Sequence, residues 1–399
     1  ETRHAFGRTA VVLSGGGALG TFHIGVLKAL FVQNLLPRVF SGSSVGSLIC
    51  AMVCTRSDAE LEDLMENFVT IDLTFFSCTS MAQILRHFIA KGAFHDILFY
   101  SSRLRVFLGD CTFQEAYDKS GRVLNVCVTA ANTNEPPKLL NYLTAPNVVV
   151  WSAVAASSAF PFIFKPIDLL AKNRKGEFVK YVNIDRSHCT NRRWRDGSLE
   201  EDLPMQGISE MFNVNYFVVS QVNPHIVPWL TMKKVMPPKL SYLIISEWKH
   251  RCLQLLEILP AWFPKHIQSM LKCLCQKWEG DVTVWMETSI STYLFMLMNA
   301  VMNPTTYSLK LAIMEGERSI WPKLAAIKAN CAIEQAMDEC MSKLKTKAKS
   351  HTLKQRGRIP SWLNADGMSR ENSQDSMSYQ SDEERIRREK EELTFRFQV

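Results

Sequence analysis

Short apolar runs alternate with longer amphipathic stretches through the first half of the chain. The runs at residues 9–13, 39–40, 124–129 and 216–220 read as buried strands, and the stretches 20–33 and 45–55 read as helices that directly follow the first two. Repetition of strand then helix predicts an α/β domain over 9–222, with a mostly parallel sheet covered on both faces. Functional residues are then expected at the carboxyl ends of the strands.

The pattern changes near residue 223. From there to about 340 the chain reads as a helix-rich C-terminal extension studded with large apolar residues, as at 253–264 and 290–302. Helix packing accounts for such stripes; contact with lipid is the other reading, because Trp and Phe beside basic residues suit an interface. From 341 to 399 the composition shifts again. Lys343, Lys345, Lys347, Lys349, Lys354, Arg356 and Arg358 come without an intervening acid, followed by a Ser-, Asn- and Gln-rich stretch and a mixed-charge run. This segment has too little apolar surface to offset ordering entropy, so a disordered basic tail is expected. Anionic headgroups are its second reading.

Charge narrows the partners. The 399 residues hold 46 Lys and Arg against 39 Asp and Glu, a net +7. That excess sits in the tail, where no aromatic residues interleave with the basic cluster, so nucleic acid is not expected as a partner. Eleven cysteines, an odd number scattered without paired spacing, point to a reducing compartment. Cys273-Leu274-Cys275 is too tight for the common zinc pattern, so no metal site is expected. No run reaches the roughly 18 apolar residues of a bilayer span.

Two glycine-rich turns carry the candidate chemistry. The first strand ends in Ser14-Gly15-Gly16-Gly17-Ala18-Leu19-Gly20, where glycine N–H groups near a helix N-terminus could face a developing negative charge. The second strand ends in Gly42-Ser43-Ser44-Val45-Gly46, which fits a serine on a strand-to-helix elbow with glycines removing obstructive Cβ atoms. A dinucleotide site is the competing reading of the first turn. It requires an acid at the end of the next strand, and Ser41-Gly42-Ser43-Ser44 stands there. A phosphate loop would need Gly-Lys-Ser/Thr, which does not follow.

A serine hydroxyl needs a base. Asp196, in Trp194-Arg195-Asp196-Gly197-Ser198-Leu199, is one candidate, although Asp-Gly alone also marks a simple turn. A histidine base late in the chain is the rival. His225, just after the run 216–220, is the nearest to that pattern but reads as a loop histidine. His23 reads as a packing or hydrogen-bonding residue of the first turn, and His95 as a buttress of its loop.

The order of these three elements, together with Asn141-Tyr142-Leu143-Thr144-Ala145-Pro146-Asn147-Val148, Trp151-Ser152-Ala153-Val154-Ala155-Ala156-Ser157 and Asp196-Gly197-Ser198-Leu199-Glu200-Glu201-Asp202-Leu203-Pro204, resembles the patatin-like acylhydrolases. Over about residues 1–335 the chain is similar to their intracellular triacylglycerol lipase branch of fungi and plants. The resemblance implies a three-layer α/β/α sandwich and a Ser–Asp dyad, with Ser44 as nucleophile, Asp196 as base and Gly15, Gly16 and Gly17 as the oxyanion hole. Gly42 and Gly46 flank the elbow, and Gly197 completes the Asp-Gly motif. Leu19 departs from the Arg or Lys that many patatins carry.

The implied activity is release of fatty acids from neutral glycerolipids, with no cofactor, at a lipid-droplet or endoplasmic-reticulum membrane surface. Phospholipase or acyltransferase action on the same dyad is the alternative, and oligomeric state stays open. The separate His-x-x-x-x-Asp acyltransferase motif of some members is absent. A non-catalytic lipid-surface scaffold is disfavoured by the intact Ser44 and Asp196. Because the family-like text begins almost at Glu1, a missing natural N-terminus is expected.

Overall fold

A computed structural model of the chain describes residues 2–68, 71–131, 135–181, 192–260, 265–287 and 299–356. Nine strands occur among them: β1 (Arg8–Leu13), β2 (Val39–Gly42), β3 (Val123–Ala130), β4 (Lys138–Leu140), β5 (Leu170–Lys172), β6 (Phe178–Lys180), β7 (Trp194–Asp196), β8 (Val214–Gln221) and β9 (Val282–Trp285). Seven build one sheet in the order β4-β3-β2-β1-β8-β9, with β7 also paired to β3; β5 and β6 form a separate hairpin. The neighbours from β3 through β2, β1 and β8 to β9 are parallel, whereas β4 and β7 run antiparallel to β3.

Alternation along the strands divides the interior into two cores, as period-2 side chains require. Val11 and Leu13 of β1 face a large core with Phe40, Val126 and Val218, which is closed by helices Thr21–Val32, Val45–Cys54, Val150–Ser157 and Thr306–Ile320. Ala10 and Val12 face a smaller core with Val39, Val123 and Val219, covered by Met205, Ile208 and Phe212 of helix Met205–Phe212. Helices on both faces of a mostly parallel sheet make this an α/β sandwich. Helix Thr21–Val32 and helix Thr306–Ile320 cross closely at two glycines. A Cβ on Gly25 would stand 2.0 Å from the Ile313 carbonyl oxygen, and one on Gly316 would stand 2.2 Å from that of Phe22.

The segment after the expected division at 222/223 is helix-rich but also adds a strand to the sheet. Val282, Thr283, Val284 and Trp285 pair in register with residues 218–221 of β8 and so lengthen the sheet. The chain divides into the units Glu1–Asp338 and Glu339–Val399. The last described helix, Leu324–Arg356, carries regular structure into the segment expected to be disordered, so its basic residues up to Arg356 are helical. Residues 357–399 lie outside the described residues, as do most of 290–302.

Candidate active site

Register assembles the site. Leu13 of β1 stands level with Gly42 of β2 and with Ser220 of β8, so β1 and β2 end together and β8 one residue later. The glycine turn after β1 therefore emerges beside the serine turn after β2. In that second turn Ser44 has φ 51° and ψ −124°, a conformation rare for a residue with a side chain, and helix Val45–Cys54 starts immediately after it. The flanking glycines permit this bend: a Cβ on Gly42 would lie 2.3 Å from the Gly46 carbonyl carbon, and one on Gly46 would lie 2.3 Å from the Leu13 oxygen.

Other side chains hold the elbow. Ser44 N–H donates to Ser157 Oγ at 3.0 Å, and Ser157 Oγ donates to the Cys127 carbonyl at 2.8 Å. Ser43 Oγ donates to the Asp202 carbonyl at 2.8 Å. Asp202 is buried, and its two carboxylate oxygens accept the Gly15 N–H at 3.0 Å and Asn223 Nδ2 at 2.6 Å. Burial raises its pKa to about 7, with the charge of Asp196 pushing the same way and the Gly15 and Asn223 hydrogen bonds opposing.

Gly15 is thus engaged with Asp202 and its N–H is not directed at a ligand, which narrows the expected three-glycine group. The N–H groups of Gly16 and Gly17 have no hydrogen-bond acceptor among the described residues. Gly17 has φ +61°, and an added Cβ would come within 2.3 Å of the Ala300 oxygen, which itself accepts the Ala18 N–H at 2.7 Å. His23 braces the turn from behind. Burial lowers its pKa to about 4, so the ring is neutral. Its Nε2 lies 3.0 Å from the Ser14 carbonyl, which can only accept, so Nδ1 accepts from Ser220 Oγ at 2.7 Å.

Asp196 reaches the elbow through an exchange of strand partners. Val128 of β3 pairs with Lys138 of β4 and Asp196 of β7 at the same time, which puts β4 and β7 on opposite edges. Because β2 leaves β3 after Gly42 pairs with Val126, β7 occupies the edge that β2 vacates. Gly197 packs so tightly on β3 that a Cβ would lie 2.6 Å from the Cys127 carbonyl carbon.

Oδ1 of Asp196 accepts the Ser198 N–H at 2.8 Å, whereas the buried Oδ2 has no formed hydrogen bond. Burial raises the Asp196 pKa to about 7; Ser198 and the nearby Ser44 hydroxyl pull in the opposite direction. Ser44 and Asp196 border a cavity of about 480 Å³ whose other walls include Leu48, Met52, Phe75, Phe164 and Leu271.

The patatin-like phospholipase family matches residues 11–207, which contain both glycine turns and Asp196. Triacylglycerol lipase SDP1L of Arabidopsis thaliana is 46% identical over 86% of this chain and 43% of its own length. Triacylglycerol lipase 5 of Saccharomyces cerevisiae is 34% identical over 87% of the chain and 49% of its own. Triacylglycerol lipase ptl3 of Schizosaccharomyces pombe is 35% identical over 86% of the chain and 71% of its own. The chain belongs to the patatin-like phospholipase family. It spans less than half the length of the first two of these relatives.

Within this patatin-like site, Leu19 is buried and packs into the larger core. His225 also lines the cavity, but its Nε2 faces Cys273 Sγ at 3.5 Å and burial lowers its pKa to about 4. His95 is a buttress, accepting the Cys78 N–H at 3.3 Å through Nδ1 and facing the Val301 carbonyl at 2.8 Å through Nε2. Sequence reasoning singled out neither Asp202 nor Ser157. Each stands inside a quoted motif block, but only the folded contacts tie them to the elbow.

Proposed function

We propose that this chain is a lipid acyl hydrolase, acting on long-chain acylglycerols through Ser44 and Asp196. One observation carries the reading: a strained, half-buried serine lies beside a buried carboxylate with an unengaged oxygen, at the wall of a largely apolar cavity. In the reaction, Ser44 Oγ attacks the ester carbonyl carbon while its proton passes to Asp196 Oδ2. The carbonyl oxygen takes the negative charge and receives hydrogen bonds from the Gly16 and Gly17 N–H groups. When the C–O bond breaks, the departing alcohol takes the proton from Asp196 and the acyl group stays on Ser44. Water then attacks the acyl-enzyme, again giving its proton to Asp196, and collapse returns that proton to Ser44 as the fatty acid leaves.

A carboxylate with a pKa of about 7 is a far better proton acceptor than an ordinary aspartate, and about half of it is ionised at neutral pH. The apolar walls suit acyl chains, and the names of the three relatives favour triacylglycerol over phospholipid. A lipid-droplet or endoplasmic-reticulum surface is the proposed place of action. Among the described residues, no helix is long and apolar enough to cross a membrane.

Fatty-acid release from triacylglycerol, steryl ester and phospholipid tests both chemistry and preference. Wild type should release fatty acid, Ser44→Ala should abolish release, and an organophosphonate should label Ser44. Label at another residue, or normal turnover by Ser44→Ala, overturns the dyad; preference for phospholipid overturns the substrate assignment.

A further inference from the structure

Helix Met81–Lys91 packs the wrong way round for a surface helix of a water-soluble domain. Its fully buried side chain is Ile84, while Met81, Leu85 and Ile89, spaced four residues apart on one face, are 58%, 60% and 77% exposed. Such a stripe normally faces a core. From Met81 to His95 the sequence contains Arg86, His87 and Lys91 but no acid; Lys91 pairs with Asp96 at 3.4 Å, and Arg86 is exposed.

This face is continuous with the catalytic cavity. Phe88, on the inner side of the helix, meets Phe94 and Phe162 with ring centroids 5.2 Å and 6.4 Å apart. After Gly92 ends the helix, Phe94 N–H donates to the Phe162 carbonyl at 2.7 Å and His95 N–H to that of Ile163 at 3.1 Å. The same short turn has two aspects. Phe160, Ile163 and Phe164 line the cavity, whereas Phe162 is 47% exposed and has φ +68°, an uncommon conformation for a bulky residue. An apolar surface therefore runs from the outer helix through Phe162 to the walls beside Ser44.

We infer that the Met81–Leu85–Ile89 face, with Phe162, docks on the phospholipid-covered surface of a lipid phase and delivers acyl chains to the cavity. The occupant follows from the continuity with a cavity lined by apolar side chains and from the acid-free, cationic helix, which favours anionic headgroups around inserted apolar side chains. This inference rests on the proposed lipid hydrolase reading. It differs from docking through the basic tail, because it places the anchor beside the cavity.

The test is co-flotation of the chain with phosphatidylcholine vesicles, with and without phosphatidylserine, alongside hydrolysis of a short soluble ester. Leu85→Asp/Ile89→Asp should lower vesicle binding by about tenfold or more, since each change removes a large aliphatic side chain from the inserted face. Its soluble-ester rate should stay at the wild-type level, because neither residue lines the cavity. Leu240→Asp/Leu243→Asp, on the exposed face of helix Pro238–Ile258, should bind like wild type.

Undiminished binding by the first variant, or selective loss in the second, overturns the inference. So does a wild-type dimer that the first variant dissolves while vesicle binding persists, since the face would then belong to a second copy. Absence of ester hydrolysis by wild type, with the vesicle result as stated, would refute the enzymatic reading and leave the docking face standing.

Discussion

Replacing Asp196, the proposed base, should make the protein more stable as pH rises relative to wild type. Burial raises the Asp196 pKa from 3.8 to about 7, so the folded state disfavours the ionised form that the unfolded chain accepts readily. The sign follows from proton linkage. Below the unfolded pKa the side chain is protonated in both states and burial carries no charge penalty; as pH rises, the unfolded chain releases the proton first and folding stability falls until pH passes about 7. The full penalty is roughly 4 kcal/mol, and more than half of it develops between about pH 5 and about pH 8.

Asp196→Asn removes this titration while keeping an oxygen able to accept the Ser198 N–H. Its stability relative to wild type should therefore increase by roughly 2–3 kcal/mol over that interval. Loss of the Asp196 charge also relieves Asp202, whose pKa that charge helps raise, and so acts in the same direction. Urea denaturation of both proteins at the two pH values measures the difference. A difference independent of pH, or one that shifts toward wild type at higher pH, would refute the assignment of Asp196 as a buried, desolvated base. The same variant should lose soluble-ester hydrolysis by roughly 10²–10⁴-fold, as removal of a general base usually does.

Wild-type kcat/KM on a soluble ester should rise with pH through about 7, as Asp196 ionises; a plateau beginning near pH 4 would exclude it as the base. Asp202→Asn leaves one acceptor where Gly15 N–H and Asn223 Nδ2 now use two, so kcat should fall on the order of 10-fold to 100-fold while circular dichroism stays native; unchanged kcat would remove Asp202 from the positioning of the turn. His225→Ala should retain most activity, and a loss matching that of Asp196→Asn would point to a histidine base. Gly316→Ala forces a Cβ to within 2.2 Å of the Phe22 oxygen, so it should destabilise the fold by about 1–3 kcal/mol in thermal melts, and an unaltered Tm would show that the helices separate freely.

Local pattern was sufficient for the elements that build the sheet's centre. The apolar runs of β1, β2, β3 and β8 are buried over most of their length, so their composition declares them without knowledge of neighbours. The elbow was equally legible, because Gly42 and Gly46 are dictated by clashes within two adjacent turns. Ser44 and Asp196 could be named from motif order, yet nothing local joins them: residue 196 reaches Ser44 only because β7 takes the edge of β3 that β2 leaves free.

β9 was hidden for a related reason. Four residues inside helix-rich text carry little periodicity, and the edge of β8 supplies the partner that makes them a strand. Gly15 looks equivalent to Gly16 and Gly17 in one dimension, but the Asp202 carboxylate, distant in sequence, engages its N–H. The raised pKa of Asp196 and the outward apolar face of helix Met81–Lys91 likewise depend on what surrounds them. Sequence by itself determined which segments want burial and where the backbone must bend; tertiary structure decided which polar groups are desolvated, which donors remain unengaged and which apolar face is left outside, because each of those depends on contacts between residues far apart in the chain.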